Sequence, residues 1–342
     1  MTQAIVAAPP EPITGRTRST IVDIVKGIAI ALVVYGHTAQ GMVHRGWWDG
    51  PSAVFSDSFV YSFHMPAFFF VAGLFLVGSL ERRGSRLFTL DKLKTILYPY
   101  ILWLVLSALI EPAIGRFKVS HQPFDWGRFL LGVVDGEASW FLPTLFACQI
   151  LALGTWKVPA WLRLGVSVLV AMIVTSYGPA LIHRPAQEFC FLAAGMLVGS
   201  GIFALERMPA WISGLAAVAL FALQAAVILR DGENAQFGSP HQWLAVILGF
   251  TGTAGLVMLA RLLDHTRIGD AWAWVGRASL GVFLLSPFVQ GGVRELLARL
   301  GHIQGLWPQL LLPTLFAILI PVVIWNQQER WRIGWLFHWP AR

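Results

Sequence analysis

Lys26, His37 and His64 stand in stretches that are otherwise almost wholly apolar, the last within Phe63-His64-Met65-Pro66. A lysine at the centre of a membrane helix costs roughly 2.5–3.5 kcal/mol on insertion scales, so such groups usually mark a polar cavity where chemistry or transport occurs. A neutral imidazole can take a proton from a hydroxyl and return it later. Two histidines beside a lysine-lined passage therefore suit acyl or proton transfer. The plainer readings are a histidine bonded only to backbone and a lysine that snorkels to the membrane surface.

Spacing sharpens the first reading. Lys26 and His37 are eleven residues apart, so on a helix they share a face to within about 20° and lie about 16 Å apart along the axis. Asp23, three residues before Lys26, falls on nearly the same face and can pair with it. One stripe thus joins a cationic end of the span to a titratable group deep in the membrane. His64 lies in a second span of reversed direction, which puts it at a depth similar to that of His37. Pro66 removes a backbone donor and predicts a kink there, with freed carbonyls that a polar cavity could satisfy. Phe68, Phe69 and Phe70 could wall a pocket, and Gly73 permits close helix packing. Metal binding is a poor alternative, since no HExxH, carboxylate cluster or Cys/His pair at ligand spacing occurs. A glycine-rich phosphate loop and a GxSxG elbow are also missing.

The elements that must position these residues are membrane helices. Apolar residues make up 56% of the 342 and charged residues 13%, against about 25% charged in soluble domains. The expected fold class is all-α, a polytopic integral membrane bundle of about ten spans. They fall near Thr20–Gln40, Phe59–Leu80, Leu93–Ala113, Ser139–Trp156 and Leu162–Ile182. The others fall near Gln187–Leu205, Trp211–Leu229, Trp243–Leu262, Ala273–Phe288 and Leu306–Ile324.

With the N-terminus cytoplasmic, fifteen basic residues fall on inner segments and eight on outer ones, while Lys26 and Arg277 lie within helices. Positive charge accumulates on the cytoplasmic side, so both termini are expected there. The net charge of +7 is then mostly topological, and its division among short loops argues against nucleic-acid binding. The densest group is Arg82, Arg83, Arg86, Lys92 and Lys94. It reads either as lipid-headgroup contact or as a docking surface for nucleotide phosphates.

Cys148 and Cys190 fall in separate expected helices and read as core packing. Residues 1–19 contain Pro9, Pro10 and Pro12 but no apolar h-region, so no cleavable signal peptide is expected. The expected organisation is a cytoplasmic tail over 1–19, a transmembrane domain over 20–326 and an interfacial tail over 327–342. In that last tail Trp331, Trp335 and Trp339 recur every fourth residue, which would place three indoles on one helical face.

The stretch from Asp23 through Lys26 to Gly36-His37 resembles the opening of the acyltransferase-3 family, ten-span membrane enzymes that O-acylate glycans and other acceptors. The family's hallmark is a basic residue, ten residues, then His, here with Lys in place of the commoner Arg. Phe63-His64-Met65-Pro66-Ala67-Phe68-Phe69-Phe70-Val71-Ala72-Gly73 is similar to its second signature. Lys92-Leu93-Lys94 before Tyr98-Pro99-Tyr100 resembles its basic start to the third span. Ser139-Trp140-Phe141-Leu142-Pro143, with Glu137 upstream, resembles its Trp-Phe-Leu element. The chain departs from the family near Ser286, where many members place a His, and it resembles the stand-alone group without a fused hydrolase-like domain.

The resemblance implies an acyl-CoA donor, acetyl-CoA in the first instance, and a carbohydrate or glycolipid acceptor, with no metal. The phosphates of the donor would lie near Lys26, with Asp23 holding that lysine, and near Arg82, Arg83, Lys92 or Lys94. His37 would act as general base or transient acyl carrier. His64 would assist it or bind the acceptor, and Glu137 would orient an imidazole or donate to the leaving group. Trp140 would stack on a sugar or the pantetheine arm, and Phe68 would wall the substrate pocket. A bacterial inner membrane is the expected location, and the oligomeric state is left open. The alternative function is a transporter or flippase whose buried charges form a substrate path; a third reading is a non-catalytic partner that keeps the architecture.

Overall fold

The computed structural model describes residues 19–115, 125–135, 139–174, 176–301, 303 and 305–340. Among the described residues there is no strand. Helix α1 (Thr20–Val43) is followed by α2 (Gly50–Tyr61), α3 (His64–Leu74) and α4 (Leu76–Lys92). A π-helical turn at Leu93–Leu97 then leads into α5 (Tyr98–Gly115). Next come α6 (Trp126–Asp135), α7 (Phe141–Thr155), α8 (Ala160–Ile173) and α9 (Ala180–Val198). The chain continues through α10 (Ala210–Asp231), α11 (Gln242–Leu263), α12 (Arg267–Arg277), α13 (Ser279–Gly301) and α14 (Leu306–Gln327).

Among the described residues, seven helical runs are long and apolar enough to cross a membrane, and α7 and α8 are shorter apolar helices. The α2–α3 pair stands where the second span was expected, so the bundle matches an all-α polytopic membrane fold. Leu169, Ile173, Leu215, Val218 and Leu229 face outward, as lipid-facing positions must. The core instead gathers around α1, whose Ile24, Val25, Ala29, Ile30, Val33 and Val34 are buried.

The second span is not the continuous helix expected over Phe59–Leu80. It breaks at Ser62–Phe63, and Pro66 is the third residue of α3. A proline there removes no intrahelical bond, because the first N–H groups of a helix have no partner within it. The expected kink therefore moves a few residues upstream. The carbonyls released are met by side chains: His64 Nδ1 lies 2.6 Å from Val60 O, and Ser62 Oγ donates to Phe59 O at 2.8 Å. Gln224 of α10, fully buried, donates to Ser62 Oγ at 2.6 Å. Irregular backbone at membrane depth is tolerated when protein groups satisfy it in this way.

The expected ninth span, Ala273–Phe288, is also divided. Helix α12 ends at Arg277, and α13 begins at Ser279 and runs on to Gly301. Glycines bring two helix pairs into backbone contact. A Cβ on Gly27 would overlap the Trp272 carbonyl, and one on Gly276 the Asp23 carbonyl, so α12 lies directly on the first half of α1. Gly73 of α3 and Gly195 of α9 meet the same way, against Leu192 O and Phe70 O.

The tail beyond α14 is not the amphipathic helix that the tryptophan spacing predicts. Residues 328–332 form turns, Arg332 adopts φ 56°, and a short 3-10 turn covers Gly334–Leu336. The segment folds back on the bundle. Phe337 is fully buried against Trp325, with ring centroids 5.2 Å apart. Tyr98 Oη and Trp103 Nε1 donate to the carbonyls of Trp335 and Leu336, each at 2.8 Å. Backbone bonds from α5, rather than an indole face, hold the tail.

Candidate active site

Helix α1 carries both halves of the site. Near its start, Lys26 Nζ lies 3.5 Å from Asp23 Oδ1, the pair expected from the spacing, and the Asp23 side chain is nearly fully buried. Both residues line a cavity of about 560 Å³. Arg82, Thr95 and Ser279 are further polar groups on its wall, and Ile30, Phe68, Ala72 and Phe203 are among its apolar ones.

The cavity thus combines two cationic side chains and the Asp23 carboxylate with a largely apolar wall, which fits a ligand with an anionic head and a slender, less polar arm. Of the other cations expected at the donor site, Arg83 instead pairs with Asp91 at 2.9 Å. Lys92 pairs with Asp91 at 3.4 Å and lies over the Phe88 ring. Lys94 is exposed, and none of these three lines the cavity.

Farther along α1, His37 opens onto a second cavity of about 280 Å³, between the buried neighbours Gly36 and Thr38. His64 lines the same cavity, as do Tyr61, Ser107, Trp140 and Ser286. The two expected histidines are therefore brought together. The contact of His64 Nδ1 with the Val60 carbonyl makes that nitrogen the protonated one in a neutral ring, which leaves Nε2 as the lone-pair nitrogen. Glu137 lies outside the described residues.

Trp140 reaches the cavity through a turn at Ser139, whose φ of 52° is unusual for a residue with a side chain. The Arg184 guanidinium sits 4.3 Å above the Trp140 ring. This cation–π contact backs the cavity wall.

Val33, Met65, Phe141 and Phe283 line both cavities. The Phe141 and Phe283 rings are 5.3 Å apart between centroids. The Lys26 cavity and the His37 cavity therefore abut across a collar of four apolar side chains. Phe68, expected as substrate wall, lies on the Lys26 side and Trp140 on the His37 side.

Sequence reasoning missed several groups. Tyr61 packs edge-on to both imidazoles, with centroids 6.4 Å from His37 and 4.9 Å from His64. Among the described residues its buried hydroxyl has no hydrogen-bond partner. The ring rests on Gly36, where a Cβ would sit 3.0 Å from it.

Ser286, Gln290 and Arg294 recur every fourth residue along α13, a period visible in the sequence but hidden because the expected span stopped at Phe288. Gln290 donates to Val34 O at 2.7 Å and to Thr38 Oγ1 at 2.9 Å, which ties α13 to α1 beside His37. Arg294 lies against Gly41, about one helical turn beyond His37 on α1. Among the described residues, no group of three or more His, Cys, Asp or Glu is placed to hold a metal ion.

The fold is that of a helical membrane protein in which two histidines share one cavity and a lysine and an arginine line its neighbour. The model of an acyltransferase domain matches residues 20–326, and the chain belongs to that family, the acyltransferase-3 family. It is similar to nodulation protein NolL of Sinorhizobium fredii (strain NBRC 101917 / NGR234), 27% identical over 313 residues, which cover 82% of this chain and 79% of the relative. It is also similar to nodulation protein NolL of Mesorhizobium japonicum (strain LMG 29417 / CECT 9101 / MAFF 303099). That relative is 23% identical over 351 residues, covering 91% of this chain and 87% of its own. No solved structure matches the chain.

Proposed function

We propose that this membrane O-acyltransferase moves an acyl group, acetyl in the first instance, from cytoplasmic acyl-CoA to a hydroxyl of an extracytoplasmic glycan or glycolipid. The observation that carries the reading is the apolar collar joining the Lys26 cavity to the His37 cavity. A donor anchored by its phosphates at Lys26 and Arg82 could pass its thioester arm through Val33, Met65, Phe141 and Phe283. In this reading the Lys26 end faces the cytoplasm, both termini lie on that side, and the membrane is a bacterial inner membrane. The transmembrane domain spans 20–326, between tails over 1–19 and 327–342.

The chemical step balances with the residues present. His37 takes the proton of the acceptor hydroxyl as the oxygen attacks the thioester carbonyl carbon. The new C–O bond forms, the C–S bond breaks, and the proton passes to the departing thiolate. The Tyr61 hydroxyl, buried and without a partner among the described residues, donates to the carbonyl oxygen as negative charge develops there. His64, oriented through Val60, offers its Nε2 to the acceptor. Trp140 supplies a flat wall for a sugar ring, and Asp23 holds Lys26.

The test is thermal stabilisation of the purified protein by acetyl-CoA, combined with transfer of radiolabelled acetyl groups in membrane vesicles. A ligand at about 100 times its dissociation constant adds roughly 2.7 kcal/mol, a readily measured shift. Stabilisation together with transfer that depends on His37 is the expected result. Silence with both acetyl-CoA and succinyl-CoA would contradict the donor assignment.

A further inference from the structure

A third hollow, of about 570 Å³, lies where the end of α1 meets the start of α2 and the segment 236–239. Its polar lining is Gln40, His44, Asp49, Asp57, Gln236 and Ser239. Gln40 stands three residues beyond His37, and Asp57 four residues before Tyr61. About one helical turn therefore separates each from a group of the catalytic cavity.

The hollow is internally organised. Gln40 Nε2 donates to Asp57 Oδ1 at 3.0 Å, and Gln236 Nε2 donates to Ser58 Oγ at 3.2 Å. Among the described residues, neither Asp49 nor Asp57 forms an ion pair, unlike Asp23, Asp91 and Asp264.

Three features identify the ligand chemistry. Two carboxylates and two primary amides lining one hollow match the alternating donors and acceptors of neighbouring sugar hydroxyls. The two carboxylates would repel phosphate or uronate groups, which keeps the CoA headgroup at the opposite, cationic end. The volume lies within the usual range for small-ligand pockets, about 300–1,000 Å³.

We propose that this hollow holds a neutral, hydroxyl-rich saccharide of the acceptor, with Asp57 and Gln40 binding its hydroxyls so that an adjacent one reaches His37. The proposal rests on the acyl-transfer reading above. Asp57 and Gln40 bind the acceptor and take no part in the bond changes.

The experiment uses membrane vesicles from cells producing the full chain, supplied with radiolabelled acetyl-CoA, and counts label in the glycan and glycolipid fractions. The same variants are purified for thermal stabilisation by acetyl-CoA. Asp57→Asn weakens hydrogen bonds to the sugar, and Val54→Trp fills the hollow from its lining. Each should cut transfer roughly tenfold or more, with acetyl-CoA stabilisation as in the unaltered protein. Transfer at the unaltered rate in both variants would overturn the assignment. Loss of donor stabilisation along with transfer would also overturn it, because the hollow would then support the fold rather than bind acceptor. Absence of both label and donor stabilisation in the unaltered protein is a separate result and would sink the acyl-transfer reading itself.

Discussion

At the scale of single residues, the proposed mechanism gives the acceptor's proton to His37 and the developing oxyanion to Tyr61. His37→Ala is expected to lower transfer about 10²–10⁴-fold, while acetyl-CoA still stabilises the purified protein. Tyr61→Phe keeps the ring that rests on Gly36 and removes only the hydroxyl. It should cost about 10²–10³ in turnover, as loss of an oxyanion donor does elsewhere, and unaltered turnover would remove Tyr61 from the mechanism. Lys26 needs a more careful design, because its ammonium balances the nearly buried Asp23 carboxylate. Removing one partner of such a pair is itself destabilising. Lys26→Met should therefore lower the melting temperature without ligand, and adding Asp23→Asn should recover part of the loss. Neither protein should respond to acetyl-CoA; a full response in either would place the donor elsewhere. These central residues were legible because charge in an apolar run is costly. Tyr61 and Gln290 were not, since a tyrosine or an amide in a membrane helix is common and only the fold brings one to the cavity and the other onto α1 beside His37.

At the scale of helices, two breaks and two glycine contacts set the site. The break at Ser62–Phe63 presents His64 at the start of α3, and Gln224 satisfies it from α10. Gln224→Leu should leave Ser62 without that donor and cost about 1–3 kcal/mol of stability, read as a lower unfolding temperature in detergent. An unchanged temperature would mean that the break needs no such support. Gly195→Val forces a side chain into the Phe70 carbonyl and should be worse than most overpacked positions, which lose about 1–3 kcal/mol. Hydropathy located most spans but not these breaks. An apolar run reads alike whether one helix crosses it or two halves meet inside it, and the partner that caps the break lies 162 residues away. The proline marked the region yet misplaced the bend, because a proline in the first turn of a helix is harmless. The tryptophan period in the tail misled for a related reason: tertiary hydrogen bonds to Tyr98 and Trp103 outweighed local pattern.

At the scale of the molecule, the proposed reaction needs one passage that serves opposite faces of the membrane. Cys148 and Cys190 are fully buried, so single exposed cysteines can report sidedness against a quiet background. A cysteine replacing Arg83 should label with an impermeant maleimide only after the inner face is opened, and one replacing His44 should label in intact cells. The reverse pattern would invert the proposed topology. The most direct test of the central claim closes the collar between the two cavities. Val33→Trp places an indole among Met65, Phe141 and Phe283, where both cavities meet. Acetyl-CoA should still stabilise this protein, because its cationic anchor is untouched, while acetyl transfer to the acceptor should fall by about two orders of magnitude or more. Transfer at the unaltered rate through a blocked collar would contradict the account.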